Sequence, residues 1–251
     1  MRVVAVHEDV LVATSRVYQT TCTVVRSGGE GFVIDSPVFP DELDVLPALL
    51  EQTGFAFSGL LATHGDWDHL LGRLAFPDAA LGVAETTAAR LTGAPGEAAR
   101  GLRAFDDEHY VRRERPLSLG QVQALPAPGH VELGADGQAL ELHPAEGHTV
   151  DGMCVWVPWA RVLVAGDYLS PVEIPMVGGS RSAYLATLRV LEGLVEQADT
   201  VVPGHGEPMD QVRALAVLRE DLAYVEGLPG SALPLARRTG AQRLPPPSTP
   251  A

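Results

Sequence analysis

The chain has 251 residues, enough for one large domain or two small ones, and at 46% hydrophobic it can bury a substantial core. A formal charge of -14 argues against a nucleic-acid surface, because phosphate binding needs basic patches. Every basic side chain is arginine, so a Schiff-base lysine mechanism and a Walker-type phosphate lysine are both excluded.

The first stretch, Val3 to Asp35, has a β pattern: Val3–Val6, Val10–Val12, Thr21–Val25 and Gly31–Ile34, with a hairpin-type turn at Ser27-Gly28-Gly29. Met1 to Val10 carries charges and no long apolar core. No run approaches the roughly 20 apolar residues that a membrane span needs. The expectation is a soluble cytoplasmic protein with no membrane partner. Asp41 is expected to cap a helix through Gln52, with Leu43, Val45, Leu46, Leu49 and Leu50 as its apolar stripe and Gly54 at its end. Strands follow at Gly59–Ala62 and Leu81–Ala84, then a helix from about Glu85 to Leu91. Gly93 to Pro116 is polar and broken by Gly and Pro. It reads as a solvated surface excursion, or as a lid in which His109, Tyr110 or an arginine meets substrate.

From Leu119 the β pattern resumes at Val122–Ala124, Val131–Leu133, Ala139–His143, Met153–Val157 and Arg161–Ala165, with a hairpin turn over Gly134 to Gly137. Ser182 to Glu196 is a helix, Thr200–Val202 a strand and Met209 to Val225 a last helix. From Leu228 onward Pro, Ala, Ser, Gly and Arg dominate, as in a partly disordered tail. The chain thus divides into a domain over 1–227 and a tail over 228–251. Cys22 and Cys154 lie in apolar strand-like runs and suggest no disulfide framework.

One short stretch concentrates chemistry. Thr63-His64-Gly65-Asp66-Trp67-Asp68-His69 carries four metal-ligand side chains, His64, Asp66, Asp68 and His69, where a strand ends and a helix begins. Either aspartate could instead cap that helix. Further along, His148, Asp167 and His205 each stand beside Gly and close or follow a strand, as His64 does. Strand ends on one edge of a sheet converge, and a scaffold builds its site there.

These residues resemble the metallo-β-lactamase superfamily, whose signature is His-x-His-x-Asp-His, a later Gly-His, a Gly-Asp after a strand, and a final Gly-His. Here they stand as His64-x-Asp66-x-Asp68-His69, Gly147-His148, Gly166-Asp167 and Gly204-His205. The resemblance runs from about residue 3 to 225 and includes Val33-Ile34-Asp35. It implies an α+β fold, the αββα four-layer sandwich: two mixed β-sheets face to face, flanked by helices. It also implies a first metal on His64 and His148, a second on Asp68, His69 and His205, and Asp167 between them. The second His of the signature is Asp66 here, as in flavodiiron proteins, which carry a carboxylate at that point. If Asp66 binds, its oxygen shifts preference toward iron or manganese, with zinc still open.

The expected function is that of a metal-dependent hydrolase using one or two divalent ions (Zn, Fe or Mn) and a metal-bound hydroxide. Its substrate would be a small ester, thioester, lactone or phosphoester. Asp68 would orient the attacking water if only one metal is present. Thr63, Thr149 and Asp35 suit ligand orientation, Tyr168 or Ser170 could deliver a proton, and Arg181 is the nearest candidate anion contact. Two other readings stand beside it. One is a mononuclear non-haem iron dioxygenase of the persulfide dioxygenase type, on His64, His148 and Asp167. The other is a metal-binding module without catalysis. Oligomeric state is not legible.

Overall fold

Strands that read as unbroken apolar runs need cover on both faces. In the computed structural model, which describes residues 1–135 and 138–228, the inner strands have it, while the first, Arg2–His7, leaves one face to solvent. Strands β1 (Arg2–His7), β2 (Val10–Thr14), β3 (Thr21–Ser27), β4 (Glu30–Asp35), β5 (Gly59–Leu61), β6 (Leu81–Ala84) and β7 (Val122–Leu125) form one sheet in chain order. The first four are antiparallel, and β5, β6 and β7 continue parallel to β4. The second sheet contains β8 (Gly129–Leu133), β9 (Gln138–Pro144), β10 (Met153–Val157), β11 (Val162–Val164), β12 (Thr200–Val202) and β13 (Met209–Asp210), in the order β13-β12-β11-β10-β9-β8. Only β11 and β12 pair in parallel there.

The helices are α1 (Pro40–Thr53), α2 (Gly72–Ala75), α3 (Glu85–Gly93), α4 (Glu97–His109), α5 (Arg181–Val195) and α6 (Gln211–Gly227). The two-residue period of a strand sorts side chains into three apolar layers. Val10, Val12, Ile34 and Leu61 meet Leu140, Leu142, Val155 and Val164 between the sheets. Leu11, Ala13, Val33 and Leu60 turn outward against Leu43, Leu46 and Leu50 of α1 and Leu102 and Phe105 of α4. Cys154, Trp156, Leu163 and Val201 turn the other way, against Leu188 and Leu191 of α5 and Val217 and Leu218 of α6. The result is an αββα four-layer sandwich.

Three local expectations change. Gly93 to Pro116 is not a loop excursion, because α4 occupies its middle and buries Ala98, Leu102 and Phe105. Helix α1 begins at Pro40 rather than behind an Asp41 cap, and the Glu42 carboxylate reaches back 3.2 Å to accept from the Phe39 amide. Met209 belongs to β13, and Asp210 caps α6 by accepting from the Arg213 amide at 2.8 Å. Both cysteines are free and buried. Asp136 and Gly137 of the expected hairpin turn, and residues 229–251 of the expected tail, lie outside the described residues. No helix among the described residues is long and apolar enough to cross a membrane.

The topology also sets where a site can form. Parallel pairing puts the carboxyl ends of β4 and β5 at one edge of the first sheet, and those of β11 and β12 at one edge of the second. β9 and β11 both run antiparallel to β10, so β9 ends at that second edge too. Asp35, His64, His148, Asp167 and His205 all stand at or just after these ends.

Candidate metal centre

The first cluster folds as its turn chemistry allows. After β5 the chain reaches Asp66 in extended geometry and then makes a single 3-10 turn, Trp67–His69. Asp66 sits at the cap position of that turn but makes no capping hydrogen bond, so its carboxylate is committed elsewhere. Asp68 and His69 ride on the turn and are buried. The Trp67 ring packs on Phe105 of α4, with centroids 4.9 Å apart.

The two sheet edges bring the donors together. His64, His148 and Asp167 form one group of candidate ligands, and Asp68, His69 and His205 a second. The imidazole centroids run His148, His64, His69, His205 at steps of 5.1, 4.2 and 5.3 Å. Asp167 lies among all four rings. Its Oδ1 is 3.1 Å from His69 Nε2, and its Oδ2 is 3.2 Å from His148 Nε2, 3.3 Å from His205 Nε2 and 3.6 Å from His64 Nε2. Asp68 Oδ2 is 3.7 Å from His69 Nε2 and 3.5 Å from His205 Nε2. Asp66 Oδ2 is 3.6 Å from both His64 Nε2 and His148 Nε2, while its Oδ1 accepts from Arg90 at 2.8 Å. Ligand bonds of about 2.0–2.2 Å in tetrahedral array put donor atoms roughly 3.3–3.6 Å apart, which is this spacing.

The outward sides of the rings explain why all four Nε2 atoms face in. His148 Nδ1 is 3.1 Å from the Met176 carbonyl and His205 Nδ1 is 3.0 Å from the Tyr18 carbonyl. A carbonyl only accepts, so both Nδ1 atoms carry the hydrogen, and each ring offers Nε2 as a lone pair once it gives up its second proton. His64 Nδ1 is 3.1 Å from Thr63 Oγ1, whose own hydrogen goes to Asp35 Oδ2 at 2.9 Å. Asp35 Oδ2 is also 3.1 Å from His69 Nδ1. Inside, His64 Nε2, His69 Nε2, His148 Nε2 and Asp167 Oδ1 are buried with no hydrogen-bond partner. Polar atoms orphaned in this way are costly unless a cation joins them, so the residues fit a divalent ion.

Electrostatics agree. Burial works against charging His148, but Asp167 and then Asp66 push its pKa up to about 10. Burial likewise opposes His205, and Asp167, Glu173 and Asp68 carry it to about 9. Burial would raise Asp167, yet the imidazoles of His205, His69, His64 and His148 hold it well below the usual carboxylate range. The cavity stabilises positive charge at its centre. Glycine makes room for it: a Cβ on Gly204 would stand 2.1 Å from Asp167 Oδ1.

Among the other sequence candidates, Thr63 and Asp35 stand against the rings of His64 and His69 as described. The Thr149 hydroxyl instead donates to the Asp151 carbonyl at 2.9 Å and holds its own loop. Tyr168 accepts from the His148 amide at 2.9 Å, and Ser170 donates to the His205 carbonyl at 2.8 Å. Both hydroxyls support the backbone of ligand loops. The Arg181 guanidinium, expected as an anion contact, donates instead to the carbonyls of Glu226 and Leu228 at the end of α6 and so braces that helix. Tyr110 is 93% exposed.

Three residues were not singled out in the sequence. Glu173 is buried in a cleft that it shares with His148, Asp167, Ile174 and Met176. Burial lifts its pKa to about 7, with Asp167 and Asp68 adding to the rise and His205 opposing it. Arg90 and Asp151 make a clamp behind Asp66. Only Asp151 left a trace in the sequence, three residues past His148 beside a glycine.

The superfamily model described as "Metallo-beta-lactamase superfamily" matches residues 15–205. The chain belongs to the metallo-β-lactamase superfamily. A "Beta-lactamase-like protein 2 homolog" of Caenorhabditis elegans is 24% identical over 195 residues, 77% of this chain and 58% of that protein. A "Metallo-beta-lactamase type 2" of Bacteroides fragilis is 28% identical over 101 residues, 36% of this chain and 41% of that protein. The matches thus span about half the length of these relatives. Among solved structures, a metallo-beta-lactamase family protein from Thermus thermophilus superposes with a TM-score of 0.64 at 19% identity, covering 89% of this chain and 82% of the other. A metallo-beta-lactamase from Pontibacter korlensis gives 0.63 at 19% identity, covering 90% and 98%. Such likeness establishes the metallo-β-lactamase fold and leaves the reaction to the site.

Proposed function

We propose that this metallo-β-lactamase-fold chain is a metal-dependent hydrolase of small acyl substrates. One divalent ion would be held by His64, His148 and Asp66, a second by Asp68, His69 and His205, with Asp167 shared between them. The observation that carries this reading is the inward convergence of unpartnered imidazole nitrogens on Asp167. Ions bound there supply Lewis acidity, polarising an acyl oxygen and lowering the pKa of water from 15.7 toward about 7.

The protein's own part is positioning. Asp68 Oδ2, 3.5 Å from His205 Nε2, would hold the second ion, and with only the first ion bound the same carboxylate would orient a water. Glu173 closes the adjacent cleft with a second carboxyl group, and Ile174 and Met176 give that cleft apolar walls. Two divalent ions would offset Asp66, Asp68 and Asp167, so the preference among substrates rests on the apolar walls of Ile174 and Met176 and on Glu173, whose burial favours its neutral form. Neutral esters, thioesters and lactones therefore come ahead of phosphoesters.

The test is a panel of esters, thioesters, lactones and phosphoesters assayed with zinc, manganese or iron. Hydrolysis of an acyl substrate, abolished by His64→Ala together with Asp167→Asn, is the expected result. Activity that survives both changes rules the reading out. A second reading rests on the compact set His64, His148 and Asp167, which offers two imidazoles and one carboxylate, a set that suits ferrous iron and dioxygen. Oxygen uptake with ferrous protein and glutathione persulfide would favour it, and no uptake would discard it.

A further inference from the structure

The most heavily built ionic network beside the metal centre is centred on Arg90 in α3. Its Nη2 donates to Asp66 Oδ1 at 2.8 Å and to Glu97 Oε1 at 3.0 Å. Its Nη1 donates to Asp151 Oδ1 at 2.9 Å. The other oxygen of Asp151 accepts from the Gly65 amide at 2.9 Å, between His64 and Asp66. The Asp151 side chain is fully buried, so its charge needs a partner, and Arg90 is that partner. Burial works against the charge on Arg90, but Asp66, Asp151 and Glu97 more than reverse it. The space is also filled: a Cβ on Gly65 would lie 3.1 Å from Asp151 Oδ2 and 3.4 Å from Arg90 Cδ.

Asp66 needs such a hold. Its side chain is 31% exposed and makes no capping bond to its own turn. A short carboxylate at a solvent edge keeps a single orientation only if something outside its loop fixes it. With Oδ1 on the guanidinium, Oδ2 is left 3.6 Å from both His64 Nε2 and His148 Nε2. The arginine also changes what an ion meets. A carboxylate with a cation 2.8 Å behind it presents a donor oxygen with much of its charge offset. The pair can then stand where a neutral imidazole would otherwise serve.

We propose that Arg90 is a positioning residue for the first ion: anchored by Asp151, it turns Asp66 into the fourth donor beside His64, His148 and Asp167 and offsets its charge. This rests on the metal-centre reading above. A merely structural ion pair would brace α3 and affect both ion sites alike, so the two sites must be measured separately.

The experiment is zinc competition against a chromophoric chelator in two single-site backgrounds. His205→Ala keeps the first site and His148→Ala keeps the second. Arg90→Met is expected to weaken zinc at the first site by about 10–100-fold, the range for loss of a residue that orients a ligand. At the second site the change should stay below about threefold. With Asp66→Asn already present, Arg90→Met should cost the first site nothing further. Equal loss at both sites, no loss at either, or a full loss that persists with Asp66→Asn overturns the proposal. If Arg90→Met does not fold, Arg90→Lys reads the same contrast, because it keeps the charge and loses the two-armed fork. Unmodified protein that binds none of zinc, manganese and iron would instead overturn the metal-centre reading itself. Two tightly bound zinc ions with an indifferent Arg90 would overturn only the role given to Arg90.

Discussion

Gly204 shows how tightly the centre is drawn. Its missing Cβ is the space that Asp167 Oδ1 occupies. Gly204→Ala should therefore move Asp167 away from all four imidazoles and weaken both ion sites by about 100-fold, measured as zinc retained after chelator challenge. Retention equal to the unmodified protein would show that Asp167 is not the shared donor. The imidazoles make a second prediction. His148 and His205 hold protons up to about 10 and about 9 in the metal-free protein, above the ordinary value of about 6.5. Raised values stabilise the metal-free fold fully below about 6.5, and that contribution is lost as pH rises through 9 to 10. An entering ion must displace these protons. Zinc binding near pH 8 should release protons, and affinity should rise with pH. Calorimetry in buffers of different ionisation enthalpy measures this, and zero release would contradict it. The candidate ligands His64, His148, Asp167 and His205 were legible in the sequence because each sits beside a glycine at a strand end, and Asp68 and His69 because they follow His64 within one short turn. Arg90 was not legible, because its partners lie at positions 66, 97 and 151 and only the fold unites them.

Helix α4 is where sequence reading and structure part. Ala98, Leu102 and Phe105 fall at i, i+4 and i+7, a helical stripe that Gly96, Gly101 and the flanking charges obscured. That stripe packs on the turn carrying Asp68 and His69, and Gly101 is small enough to admit Trp67, whose ring would lie 2.7 Å from a Cβ. Phe105 also meets Tyr18, with centroids 5.7 Å apart. Phe105→Ala should cost about 3–5 kcal/mol in denaturant unfolding. It should also loosen the second ion more than the first, since only the second depends on the 67–69 turn. Equal effects would mean that α4 supports the fold without holding the site. At α1 the Glu42 carboxylate is buried, which would raise its pKa, but bonds led by Ser15 Oγ at 2.6 Å lower it. A depressed value gives stability that is present above the unfolded pKa and lost as pH falls through the folded one. Glu42→Gln should lower stability at pH 7 and flatten the acid limb of the stability curve, and an unchanged limb would remove Glu42 from that role.

The whole molecule is two sheets joined twice, once by apolar packing and once by the donors. The apolar join was legible, since strands without a polar face demand two covered faces. The pairing order was not, because no local signal states that β4 meets β5 across α1 or that β11 meets β12 across α5. The second join draws four donors from one sheet and three from the other. His64, Asp66, Asp68 and His69 follow β5 of one sheet, while His148, Asp167 and His205 follow β9, β11 and β12 of the other. Ions held by both groups, as proposed, would tie the sheets together in the folded state and would have no such site in the unfolded chain. At free metal about 1,000 times the dissociation constant, the linkage is worth about 4 kcal/mol. A chain of this size gains about 2–4 °C per kcal/mol. Removing metal with a chelator should therefore lower the melting temperature by about 8–16 °C, and adding zinc back should restore it. Because the middle layer of Val12, Ile34, Leu142 and Val155 runs continuously between the sheets, the metal-free protein should still melt in one transition. Calorimetry with and without chelator decides both points. An unmoved melting temperature would mean that the donors do not bridge the sheets through an ion, and two separate transitions would mean that the shared apolar layer does not couple them.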